Sequence, residues 1–125
     1  VITPTFLERC ARAAHEVNRT YCAQLGDHSQ LPWEEAPQWQ RESAMTGVRG
    51  VIDGNGPEQS HESWLAQKDR EGWRWGAVKD PDRLEHPCFV PYERLPESQK
   101  QKDHLFVAVV RGMVALELEI TGKDQ

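Results

Sequence analysis

The stretch from His61 to Pro96, HESWLAQKDREGWRWGAVKDPDRLEHPCFVPYERLP, limits what this chain can fold into more than any other. It holds three of the five tryptophans and four of the eight prolines. Each proline pushes the residue before it out of the helical region, so His86-Pro87 through Pro91-Tyr92 must be extended. Gly72 ends the helix that begins near Ser60. Trp73-Arg74-Trp75 reads as a short extended piece, and Gly76 permits a turn that a side chain would block. Lys79-Asp80-Pro81-Asp82 is a further turn. A new helix starts near Pro96-Glu97.

The flanks are helical. Phe6, Leu7, Cys10, Ala13, Ala14, Val17 and Tyr21 recur at helical spacing over about 4–24. Thr3 or Thr5 can cap this helix, Thr5 with Glu8 forming a capping box, and Gly26 follows its end. Residues 27–37 form a loop in which Trp33, with Trp39 just beyond, is expected to anchor to the core. A second helix is expected from Ala36–Pro37 to about Val51, although Gly47 and Gly50 each cost roughly 1 kcal/mol against alanine there. Asp53-Gly54-Asn55-Gly56-Pro57 is the clearest break in the chain. Ser60 caps the third helix, which runs to about Arg70. The last helix, to about Leu118, is the most apolar and is expected to be the central packing element. The reading is a mainly α domain of about four helices with short extended arms. Residues 1–56 form one half and residues 57–120 the other.

With 125 residues there is enough chain for a core without staples. The net charge of −5 is spread evenly along the sequence. No basic face stands out, so nonspecific nucleic-acid binding is not expected. Three cysteines without a CxxC pair argue against a disulfide framework and fit a reducing compartment. The longest apolar run, Leu105–Val110, is far short of a membrane span. A soluble, cytoplasmic protein is expected, with self-association left open.

His61, Trp64 and Lys68 share one helical face. That face offers an imidazole, a stacking plane and a cation. Stacking of a base on an indole is worth about 1–3 kcal/mol, and an ammonium neutralises a phosphate. The same residues also fit a structural face with a core Trp, a half-buried His and a solvated Lys. Trp73 and Trp75 should face one side of the extended piece, and at least one is expected in the core. Lys79 either reaches a phosphate from the next turn or is solvated. His86-Pro87-Cys88, with His61 or His15, lacks the paired spacing of a structural zinc site, so no metal or other cofactor is expected. His86 is expected to hydrogen-bond within its linker. Glu16 and Glu62 could act as general bases but fit helix-start or ion-pair roles equally. No phosphate loop, dinucleotide fingerprint or HExxH motif is present.

The combination His61-Glu62-x-Trp64, Lys68, Gly72-Trp73-x-Trp75-Gly76, Lys79-Asp80, His86-Pro87-Cys88 and Val90-Pro91-Tyr92-x-x-Leu95-Pro96 resembles the RyR domain, the repeat of ryanodine receptors. It is found also in small bacterial and bacteriophage proteins. The resemblance covers 61 to about 116. Receptor repeats come in pseudo-twofold pairs, and Ala14-His15-Glu16-Val17-Asn18 echoes Ser60-His61-Glu62-Ser63-Trp64. The echo departs from the pattern: Asn18 stands where Trp64 does, Cys22 where Lys68 does, and no GWxxG follows. The resemblance implies noncatalytic binding of an adenine- or ADP-ribose-type nucleotide at His61, Trp64, Lys68 and Lys79. Trp73, Trp75, Asn18 and His15 are further candidates. In a phage, such a binder would be a sponge or sensor for a host signalling nucleotide. The alternative is a protein–protein module with Trp33, Trp39 and Trp64 as an exposed patch.

Overall fold

The computed structural model describes residues 2–123. Four helices dominate: α1 (Pro4–Gln24), α2 (Gln38–Ile52), α3 (Pro57–Arg70) and α4 (Glu97–Lys123). Single 3-10 turns at Trp33–Glu35 and Tyr92–Arg94 precede α2 and α4. A two-residue parallel pair, β1 (Arg74–Trp75) with β2 (Glu85–His86), makes a small arm after α3. The mainly α architecture with short extended arms is therefore as the sequence indicates.

Helix boundaries follow local chemistry. The Thr3 hydroxyl accepts the Phe6 N–H at 3.0 Å, so Thr3 caps α1 and the Thr5 box is not used. The third helix starts a turn before Ser60. Pro57 needs no partner for a missing N–H, and Gln59 Oε1 accepts the Gly56 N–H at 3.0 Å. Helix α4 runs past Leu118 to Lys123.

The helices of each half pack together, α1 on α2 and α3 on α4. The halves then interleave, α1 on α4 and α2 on α3, with α2 and α4 crossing at the centre. Phe6, Leu7, Cys10, Ala11, Trp33, Val48, Val51, Val107 and Val110 form one buried cluster spanning both halves. Each fully buried side chain of the Val, Leu or Phe class contributes about 1.5–3 kcal/mol. Trp33 is 3% exposed and anchors its turn to this core, whereas Trp39, on α2, is 38% exposed and does not.

The two halves are built alike. Helices α1 and α3 end the same way: Leu25 and Glu71 have nearly equal dihedrals (φ −86°, ψ 2° and φ −84°, ψ −1°). Gly26 and Gly72 follow, both at φ +90°, where a side chain would be strained. Asp27 N–H then bonds Cys22 O, and Trp73 N–H bonds Lys68 O, both at 2.9 Å. Pro32 and Pro91 share φ −56° and ψ 152° ahead of their 3-10 turns. His15 Nε2 lies 2.6 Å from Leu31 O, and His61 Nε2 lies 2.7 Å from Val90 O. Glu16 accepts the Trp33 N–H at 3.1 Å, and Glu62 accepts the Tyr92 N–H at 3.4 Å. The buried pair Val48 and Val51 on α2 matches Val107 and Val110 on α4. The short His-Glu echo in the sequence thus coincides with matching local geometry in the two halves. The halves differ in spacing, 16 residues from histidine to carbonyl in the first and 29 in the second. The extra chain in the second half is the arm.

Candidate functional site

The arm and the helix it follows carry most of the residues singled out by sequence. Trp64, half-buried on α3, is the hub. The His61 ring stacks on it, with centroids 5.6 Å apart and 24° between planes. His86 of β2 meets it edge-on at 5.1 Å, and Phe89 at 6.4 Å. Trp73 lies 6.2 Å from His86 on the other side. The indole is neither sealed in the core nor free on both faces.

His61 is 4% exposed. Its Nε2–H donates to the Val90 carbonyl, so it holds the turn that starts α4. Its Nδ1 faces Asp103 Oδ2 at 3.9 Å, too long for a hydrogen bond. That oxygen is buried without a hydrogen-bond partner, and desolvation pushes the Asp103 carboxyl up to about 6 against the pull of His61, His104 and Lys102.

Lys68 corrects both sequence readings of it. It is neither solvated nor open to a phosphate, being 2% exposed. Its ammonium sits 4.9 Å from the Trp39 ring centroid and 5.6 Å from that of Trp73, and bonds Glu71 Oε1 at 3.2 Å. Two indole faces and a carboxylate replace the water that burial removes. The counterpart in the first half, Cys22, is also buried and needs no such shell.

Trp73 is 7% exposed, but Trp75 is 56% exposed, so the two do not share a side. Strand β1 begins only at Arg74, and Trp73 still belongs to the end of α3 through its N–H to Lys68 O. Two-residue alternation therefore does not extend back to it. Gly76 lets the strands meet, because a Cβ there would lie 2.6 Å from Glu85 Cβ.

Lys79 lies between the strands and is exposed. Partial desolvation and then the charges of Lys102 and Lys68 nevertheless lower its pKa. Lys102, half-buried on α4, faces the same linker: one helical turn earlier Gln99 accepts the Cys88 thiol at 3.4 Å. His86 records this charge. Burial first, then Lys79, Lys102, Lys68 and His61, lower its pKa to about 4. A neutral ring fits its geometry, since Nδ1 accepts the Cys88 N–H at 3.0 Å, the linker bond expected from sequence.

His15 and Asn18 belong to the other half. His15 is 8% exposed, fixed to Leu31 O and edge-on to Trp33 at 5.7 Å. Asn18 accepts from Cys22 Sγ at 3.8 Å. Neither joins the Trp64 cluster. Trp33, being buried, takes no part in an exposed aromatic patch.

Lys102, Phe89 and Trp39 were not singled out for this site in the sequence. Lys102 lies in the helix read for its apolar face, and its neighbours are supplied by the linker, so no local spacing marks it. Two shallow grooves, of about 400 Å³ between α1 and α4 and about 330 Å³ between α2 and α4, lie elsewhere and include none of the Trp64 cluster. The candidate site is an aromatic shelf edged by ammonium groups.

Among the described residues no helix is long and apolar enough to cross a membrane. A family model, the RyR domain, matches residues 54–122, which take in α3, the arm and α4 up to its last residue. With more than half of its length matched, and with the turn, arm and His-Glu geometry that its motifs encode in place, the chain belongs to the RyR domain family.

Proposed function

We propose that this protein is a noncatalytic binder of a small phosphate-bearing nucleotide of the adenine or ADP-ribose type. The observation that carries the reading is the half-buried Trp64 indole with His61 stacked on it and His86 and Phe89 edge-on, in a linker where the charges of Lys79, Lys102 and Lys68 all lower the His86 pKa. A base stacks on the accessible part of Trp64, with Phe89 and neutral His86 beside it. Lys79 and Lys102 meet the phosphates, and Lys68, held by Glu71, adds field rather than contact. In a bacteriophage setting, such a binder acts in the host cytoplasm as a sponge or sensor of a signalling nucleotide.

Calorimetry with ATP, ADP-ribose and cyclic nucleotides tests this. At least one should release heat, and Lys79→Glu and Lys102→Glu should each weaken it about tenfold, the equivalent of 1.4 kcal/mol. Trp64→Ala should abolish it with helical circular dichroism retained. No heat from any of these nucleotides at high micromolar protein overturns the proposal. A second reading, a protein-docking arm, draws on Trp75 and Val78, 56% and 74% exposed. Nucleotide-dependent quenching of tryptophan fluorescence that Trp75→Ala leaves intact favours the first reading.

A further inference from the structure

The two ring nitrogens of His61 face two different elements. Nε2 lies 2.7 Å from the Val90 carbonyl, which can only accept, so Nε2 carries a hydrogen. In a neutral ring Nδ1 is then a bare acceptor. It faces Asp103 Oδ2 of α4 at 3.9 Å, and that oxygen is buried without a hydrogen-bond partner. With the carboxyl ionised, two acceptors confront each other across a gap that neither can close. The gap is shorter than two hydrogen bonds end to end, so no water fits in line between them.

One proton removes the conflict. Placed on Oδ2 it is donated to Nδ1, and placed on Nδ1 it is donated to Oδ2. Either way the pair gains a hydrogen bond and closes to about 2.6–2.9 Å. We propose that His61 and Asp103 form a one-proton latch between α3 and α4, open and bare at alkaline pH and closed on a shared proton in mild acid. The step takes one proton from solvent and changes no other bond. The raised pKa of the Asp103 carboxyl, caused first by desolvation, agrees in direction. The other titratable and charged groups facing that carboxyl are His104 and Lys102, beside it on α4, and Tyr92 and Cys88 from the linker. His104 and Lys102 favour its anion. Tyr92 and Cys88 stay neutral in this range, their own pKa values being raised first by desolvation. Once closed, the latch holds the imidazole by both nitrogens, so α3, the turn ahead of α4 and α4 itself are tied through the ring stacked on Trp64. His15, fixed to Leu31 O in the same way, has no carboxylate paired with it among the described residues and serves as an internal control.

Long-range proton–nitrogen NMR of the full chain, with detection of the Asp103 carboxyl carbon, tests this between pH 8 and pH 5 without any ligand. The His61 ring nitrogens and the Asp103 carboxyl should shift together with one midpoint, as a coupled pair does, and Nε2 should stay protonated throughout. Asp103→Asn places an amide donor opposite Nδ1, so the His61 transition should fall below this range, while the His15 signals stay as in wild type. Separate midpoints for His61 and Asp103 overturn the proposal. So does an Nε2 without a proton, or a His61 transition that Asp103→Asn leaves unchanged.

Discussion

Asp103, beside His61, and His86, edge-on to Trp64, titrate in opposite senses. The Asp103 carboxyl, raised to about 6 from 3.8 chiefly by desolvation, keeps a proton in the folded protein that the unfolded chain has released. Its burial therefore costs stability above pH 6, and that cost fades as pH falls toward 4. His86, lowered to about 4 from 6.5, resists protonation when folded, so its contribution is present above pH 6.5 and is lost as pH falls toward 4. Between these limits the two slopes oppose each other. Asp103→Asn should raise stability at pH 8 by on the order of 2 kcal/mol, with little gain left near pH 4. Urea melts of wild type and variant at both values check this. The variant alone should lose stability steadily through the window, with the sign of His86. At this scale the sequence marked His61, Trp64 and Lys68 as one face but not what each meets. The carbonyl that fixes His61 is 29 residues away, and the indoles around Lys68 come from α2 and from the end of α3.

Among the elements, the two histidine-pinned turns correspond most closely between the halves. In each half a buried imidazole holds the carbonyl before a proline, and the next glutamate holds the N–H after it. Removing the ring takes away one part-buried hydrogen bond in each half, a loss of about 0.5–1.5 kcal/mol. His15→Ala and His61→Ala should therefore destabilise by similar amounts, read from thermal or urea unfolding. Gly47, which lowered the helical reading of α2, has its reason in the crossing with α4: a Cβ there would lie 3.0 Å from Phe106 Cζ. Gly47→Val should disturb that crossing and cost about 1–3 kcal/mol as an overpacked contact. The pairing of Leu31-Pro32-Trp33 with Val90-Pro91-Tyr92 is present in the letters of the sequence. The arm lengthens one half, however, so no fixed period joins both parts of the repeat.

For the whole molecule, the interleaving of α1 with α4 and α2 with α3 makes each half dependent on the other. Val48 and Val51 share one cluster with Val107 and Val110, so a half alone exposes half a core. Residues 1–54 and 55–125, produced separately, should each show weak helical circular dichroism, and mixing them should restore the signal and a cooperative melt. Strong, cooperative folding of either fragment alone would contradict this account. Helix number, the break at 53–57, the extended linker and the family motifs were readable in the sequence. Each depends on neighbours within a few residues: glycine and proline restrict the backbone locally, and apolar spacing declares a helical face. The burial of Lys68, the opposite fates of Trp73 and Trp75, and the addition of Lys102 to the cationic edge were decided only by tertiary structure. Those outcomes depend on which distant helix supplies an indole, a carbonyl or a charge, and a linear pattern does not encode that contact.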